Sequence, residues 1–224
     1  HRNHPRLHTA LQGAGGAWWQ PWDGVLVQRP VCYPLFRAIK NGGSEIVSST
    51  RIEDAGVYRM DFDDLEQKAA DPKVKLAILC SPHNPVGRVW SADELRRYGE
   101  ICNRHNVIVI ADEIHSDLIM PGHRFQPYAQ LVEAFAQSSV VCTAPSKTFN
   151  LAGMHLSNMV IANPDLKRAY DGYMAETGVA GGLNPLAVLA CETAYRQGEP
   201  WLAEVLAYIH QNYQTLRSEL ASHL

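Results

Sequence analysis

The chain has little cysteine, and what it has is scattered. Cys32, Cys80, Cys102, Cys142 and Cys191 are its five cysteines, odd in number and without a C-x-x-C pair. This spacing gives no zinc ribbon, no dithiol redox motif and no disulfide framework. Several lie inside apolar runs, where free cysteine behaves as a small hydrophobe, and a reducing cytoplasm is the expected setting. Basic excess is missing as well. With 20 Lys and Arg against 23 Asp and Glu, and a formal charge of −3, the chain lacks the positive balance that marks a nucleic-acid partner. No apolar run approaches the ~20 residues that span a bilayer, the N-terminus carries no signal-peptide core, and no repeat or low-complexity segment is present. Neither a nucleic acid nor a membrane is therefore an expected partner.

What is there is patterned. Short apolar runs occur at 25–28, 74–80, 107–111, 139–144 and 158–162. They are rich in β-branched residues and continuous rather than alternating, as in strands buried on both faces. Helical patterns separate several of them. In 91–106, Ser91 precedes Glu94 by three residues, and Leu95, Tyr98, Ile101 and Cys102 share one face, which is a capping box opening an amphipathic helix. Residues 61–71 and 163–176 also read as helices, and 184–221 as two more, interrupted near Gly198-Glu199-Pro200. Strands alternating with helices predict one α/β domain, a three-layer α/β/α arrangement around a mainly parallel sheet. The first sixteen residues, rich in His, Arg and Gly, show only weak periodicity.

Ligands of open α/β sheets bind at the carboxyl ends of the strands, so the residues standing there matter most. After 74–80 comes SPHNPVG with Asn84; after 107–111 comes DEIH with Asp112 and His115; after 139–143 comes APSKTFN with Ser146 and Lys147. Taken singly, each has an ordinary explanation. Asn84 between prolines suits a turn, Asp112 suits a helix cap or loop, His115 a helix surface, and Lys147 a solvated surface. A metal site built on Asp112 and His115 lacks further ligands, and none is expected. An amide, an acid and a lysine at successive strand ends are together suited to holding one cofactor.

At this point a resemblance becomes specific. The stretches SPHNPVGRVW (81–90), ADEIHSDLI (111–119) and APSKTFNLAG (144–153) resemble the large domain of a fold-type I pyridoxal 5'-phosphate (PLP) enzyme. More narrowly, they are similar to the MalY/PatB branch of cystathionine β-lyases, or C–S lyases, within the class I/II aminotransferase superfamily. The likeness runs from about residue 23 to the C-terminus. It implies PLP as cofactor, with Lys147 as the Schiff-base lysine and proton-transfer group. Asp112 is implied to pair with the pyridine nitrogen, Asn84 to bond the phenolic oxygen with His115 nearby, and Ser146 to hold phosphate. The implied reaction is β-elimination from cystathionine or a related cysteine S-conjugate, giving a thiol, pyruvate and ammonia from a small sulfur amino acid. Typical aminotransferases carry Tyr where His115 stands, which favours the lyase branch. A PLP-dependent aminotransferase and a truncated, non-catalytic remnant are the alternatives.

Departures accompany the likeness. Relatives usually place a ring-stacking Tyr where Cys32 stands, with Tyr33 next to it as the substitute for cofactor contact. Arg6, in the segment 4–11, occupies a glycine position near the implied phosphate, and Trp22 stands where glycine is usual. By the resemblance, residues 1–224 form the large domain, without the N-terminal arm and the small C-terminal domain, and 199–224 correspond to the connector helix. The full-length form is expected to be a homodimer. Leu202, Val205, Leu206 and Ile209 are then expected to present an exposed apolar face.

Overall fold

Residues 2–4, 22–177 and 183–221 are described by a computed structural model of the chain. Their central sheet runs, edge to edge, through β1 (Arg2–His4), β8 (Ser157–Ile161), β7 (Ser139–Thr143), β6 (Ile108–Asp112), β5 (Val74–Cys80), β2 (Gly24–Arg29), β3 (Glu45–Asp54) and β4 (Val57–Met60). Neighbours among β7, β6, β5, β2 and β3 pair in parallel. The pairs β7–β8, β8–β1 and β3–β4 are antiparallel. The mainly parallel sheet is as expected; β8 is reversed, and β1, β3 and β4 are additional to the expected strands.

Both faces of the sheet are covered, which explains the continuous apolar runs. Val25, Val27, Ile78, Ile110 and Val140 pack on one side against α1 (Pro34–Asn41) and α6 (Pro164–Thr177), through Leu35, Ile39, Tyr170 and Met174. Leu26, Ala77, Leu79, Val109 and Ala111 pack on the other side against α2 (Phe62–Ala69) and α3 (Ala92–Arg104), through Leu65, Leu95, Tyr98 and Ile101. Successive strand residues point to opposite faces, so each residue of a run meets a helix.

The helix starts follow from local hydrogen bonding. Ser91 Oγ accepts from the Glu94 N–H at 3.1 Å, and the Glu94 carboxylate accepts from the Ser91 N–H at 2.8 Å, completing the capping box of α3. Asp61 caps α2 by accepting from the Asp64 N–H at 3.0 Å. Trp22 is 75% exposed and has φ of 83°, a left-handed conformation in which glycine is at ease and a bulky residue is not.

Gly99, inside α3, is there for space. A Cβ on it would lie 2.6–2.8 Å from three atoms of the Phe135 ring, and that ring is buried and stacked on Tyr128 at 5.2 Å. Gly172, in α6, has nothing within 4 Å of the same position. Alanine gains about 1 kcal/mol of helix propensity at either site, but at Gly99 overpacking costs about 1–3 kcal/mol. Thermal unfolding of the two variants should therefore diverge. We expect Gly172→Ala to raise Tm by roughly 2 °C and Gly99→Ala to lower it by roughly 2–4 °C.

The 184–221 region is split as expected into α7 (Pro185–Gln197) and α8 (Glu199–Ala221). The exposed apolar residues differ from the expectation. Leu202, Val205 and Leu206 are half-buried and Ile209 is 37% exposed, whereas Leu186, Leu189, Tyr208 and Leu216 are 68%, 60%, 65% and 58% exposed. Among the described residues no helix is long and apolar enough to cross a membrane. Arg6 and most of the 4–11 segment lie outside the described residues.

Candidate active site

Parallel pairing brings the carboxyl ends of β2, β3, β5, β6 and β7 to one edge of the sheet. From β2 the chain moves one way to β3, then crosses back to β5 and continues outward through β6 and β7. The loops leaving β2 and β5 therefore diverge, and a crevice forms between them where such sheets bind ligands. The Cys32 N–H donates to the Asn84 carbonyl at 3.0 Å across this crevice.

Asp112 is the last residue of β6, in register with Cys80 of β5 and Cys142 of β7. It is 3% exposed, and its carboxylate's one hydrogen bond among the described residues is a long one from the Ile114 N–H, 3.4 Å to Oδ1. Burial pushes its carboxyl up to about 7, against the opposing pull of the Ile114 N–H and the Lys147 charge. Next to it, Glu113 is pushed up to about 7, first by burial and then by Asp112, although it accepts from the Tyr128 N–H at 2.8 Å. Three thiols surround the acid: burial and the Asp112 charge hold Cys32, Cys80 and Cys142 above the ordinary thiol range, so they stay protonated.

Lys147 sits on α5 (Pro145–Thr148), a single helical turn leaving β7. Pro145 and Thr148 are buried, Ser146 is half-buried and Lys147 exposed. Thr148 Oγ1 donates to Asp117 at 2.7 Å, tying this turn to the DEIHSD segment. Lys147's positive charge acts on Asp112, Cys32 and His115. His115 is held below its ordinary range, mainly by burial and then by Lys147, and its Nδ1 is buried without a hydrogen-bond partner among the described residues.

Asn84 is half-buried, and its carboxamide has no hydrogen-bond partner among the described residues. With His115 it lines a cavity of about 400 Å³ that also includes Pro82, Leu118, Met120 and His123. Asp112, Ser146 and Lys147 are not among that cavity's walls; Lys147 is linked to it through its effect on His115. Asn84, Asp112, His115 and Lys147 thus stand together at one sheet edge. Tyr33 is the N-cap of α1 and 71% exposed, while its neighbour Cys32 feels both Asp112 and Lys147. Sequence reasoning passed over Glu113 and also His83, which is 2% exposed beside Asn84. The only signal for His83 was its place between the two prolines of SPHNP.

An α/β chain with a crevice at its strand ends, a buried acid and a lysine just past the adjacent strand belongs to the class that binds a small cofactor at its sheet edge. The family described as aminotransferase class I and II matches residues 8–223, and the chain belongs to it. It is 46% identical over 221 residues to cystathionine beta-lyase PatB of Bacillus subtilis, covering 98% of this chain and 57% of that protein. Cystalysin from Treponema denticola, whose structure contains PLP, superimposes with a TM-score of 0.94 at 36% identity over 97% of this chain and 55% of that one. The PLP-bound C–S lyase of Staphylococcus hominis gives 0.92 at 32% identity, over 98% and 55%. The chain spans about half the length of the curated relatives it matches.

Proposed function

We propose that the intact protein is a PLP-dependent C–S β-lyase acting on cystathionine or related cysteine S-conjugates. One observation carries this reading: Asp112 is a buried acid with little hydrogen bonding, at a strand end next to the one that bears Lys147. A carboxyl held at about 7 by burial is poised for a cationic partner, and a protonated pyridine nitrogen supplies one. The orphaned Nδ1 of His115 and the unpartnered Asn84 carboxamide fit a ligand rich in oxygen atoms. The residues present therefore fit the cofactor.

When bound, PLP supplies an electron sink for the carbanion left when a substrate Cα loses its proton. The chain's residues do the rest. Asp112 would keep the ring nitrogen protonated by holding a negative charge against it. Asn84 would donate an amide N–H to the phenolic oxygen, and Ser146 its hydroxyl to phosphate. Lys147 would hold the cofactor through its side-chain nitrogen and, freed as an amine when substrate arrives, would take the Cα proton. Loss of that proton would let the Cβ–S bond break with the thiolate leaving, and hydrolysis of the remaining three-carbon fragment would give pyruvate and ammonia. His115, kept neutral at pH 7 by burial and Lys147, adds no positive charge beside the phenolic oxygen. A small-molecule sulfur amino acid is the proposed partner, and the homodimer is the proposed form of the intact protein. Five free thiols support a reducing compartment such as the cytoplasm.

The test is to add PLP, record the absorbance spectrum, reduce with borohydride and map the peptides, then assay cystathionine. A pyridoxyl label on Lys147 with stoichiometric pyruvate and ammonia is the expected result. Label on another lysine would remove Lys147 from its role, and a 2-oxo acid retaining the sulfur would make the enzyme a transaminase.

A further inference from the structure

Asn84 has to be aimed by its backbone, because its carboxamide bonds to nothing among the described residues. What holds that backbone is the buried residue beside it. His83 is 2% exposed, with Nδ1 3.1 Å from the Cys80 carbonyl and Nε2 2.7 Å from the Pro30 carbonyl. Arg51 of β3 lies on the same ring, its Nη1 2.7 Å from Nε2 and its Nη2 3.0 Å from Nδ1, while Nη1 also donates to the Pro30 carbonyl at 2.8 Å. Arg51 is 6% exposed and makes no ion pair among the described residues; its guanidinium packs 5.2 Å from the centre of the Trp90 ring. Trp90 Nε1 in turn donates to the Cys80 carbonyl at 3.0 Å.

We propose that His83 and Arg51 form a clasp at the ends of β5, β2 and β3 whose task is to position Asn84 in the crevice. Three observations lead there. The clasp's bonds end on Pro30, two residues before Cys32, and on Cys80, so they join the two diverging loops of the crevice. The backbone bond from Cys32 to Asn84 closes the same link on the other side of His83. The Gly87 N–H donates to the His83 carbonyl at 2.9 Å and the His83 N–H to Arg88 at 2.7 Å, fixing the turn that carries Asn84.

The proton count also agrees. In a neutral imidazole, whichever nitrogen carries the proton donates to its carbonyl, Cys80 or Pro30, and the other accepts from Arg51. The Nδ1–H tautomer is the one that joins both loops: Nδ1–H donates to the Cys80 carbonyl, while Arg51 Nη1 donates to Nε2 and to the Pro30 carbonyl. A second ring proton would face the guanidinium, and burial followed by Arg51 accordingly holds His83 down to about 4. A cation with no acid partner is a costly way to fill a core, and an apolar pair would fill the volume; only the polar pair binds both loops at fixed positions.

The inference rests on the reading of Asn84 as a cofactor contact, so the experiment measures PLP affinity of the intact protein by absorbance and fluorescence titration. His83→Phe, Asn84→Ala and the double variant are compared, with Tm recorded for each. We expect each single variant to bind PLP about ten-fold more weakly, the loss of one hydrogen bond to a charged group, and the double variant to bind no more weakly than Asn84→Ala. If His83→Phe does not fold, Arg51→Lys replaces it; its single ammonium cannot reach both ring nitrogens and the Pro30 carbonyl, and the same non-additivity is expected. Unchanged affinity in the clasp variants, or losses that multiply in the double variant, would overturn the clasp alone. A parent protein that does not take up PLP would overturn the reading of the site, and the clasp's purpose with it.

Discussion

Replacing Lys147 with alanine is expected to lower pyruvate release from cystathionine by at least roughly 10³-fold, the order of loss when a positioned proton-transfer group is removed. Stability should not change with it. Lys147 is exposed on its short turn, where the buried neighbours Pro145 and Thr148 and the bond from Thr148 to Asp117 hold the backbone. Alanine is also the residue a helix accepts most readily. A fall in activity with an unchanged Tm would therefore be a chemical loss and not an unfolding. Arginine should fail as completely as alanine, because a guanidinium stays protonated and cannot take the Cα proton. An added primary amine such as methylamine should restore part of the rate to Lys147→Ala and none to Lys147→Arg, whose side chain still fills the space. Activity within ten-fold of the parent in Lys147→Ala would take this residue out of the reaction, whatever the family likeness.

The parts of this fold legible in the sequence are those where burial is uniform. β5 was bounded correctly at Val74–Cys80 because six of its seven residues are buried, and β6 and β7 are as continuous. The capping box of α3 is a local device, written in Ser91 and Glu94 and needing no tertiary contact. β3 was illegible for the opposite reason. Its first half pairs with β2 inside the sheet, and its second half leaves to form an exposed ribbon with β4, so Glu45–Asp54 shows neither an apolar run nor a clean alternation. The turn that joins them, Ala55-Gly56 with φ of 49° and 80°, does carry a glycine signal.

The same distinction runs through the site. Asn84, Asp112 and Lys147 could be picked out because each follows a readable strand, and parallel order then puts strand ends at one edge. Which of Cys32 and Tyr33 turns inward depends on how α1 begins, and a helix start one residue away reverses the answer. The Arg51–His83 contact spans 32 positions and exists only because β3, β2 and β5 lie side by side. No motif records that order. Burial likewise gives Asp112 its raised affinity for a proton, and an aspartate letter alone says nothing of it.

That burial leads to the second large effect, in which one substitution acts in opposite directions on stability and on catalysis. In the cofactor-free protein Asp112→Asn should be stabilising above pH 7. The folded carboxyl titrates at about 7 and the unfolded one near 3.8, so the folded state holds the proton more tightly. The stability linked to that proton is complete below about pH 4 and is lost as pH rises through 7. Glu113, held at about 7 beside it, adds loss in the same direction. Asparagine carries no charge, keeps an oxygen for the Ile114 N–H, and leaves only the Glu113 contribution. At pH 8 the variant should be more stable than the parent by about 2–4 kcal/mol, or roughly 5–10 °C in Tm, and the two should converge near pH 4. On catalysis, with PLP present, the effect runs the other way. A neutral amide cannot hold the ring nitrogen protonated, and turnover should fall by roughly 10²-fold or more. Thermal melts from pH 4 to 8 without PLP and pyruvate release with it give the two halves of this result. Parent and variant melting alike at pH 8 without cofactor would mean that Asp112 is not the strained acid described, and the electrostatic argument for its role would lose its basis.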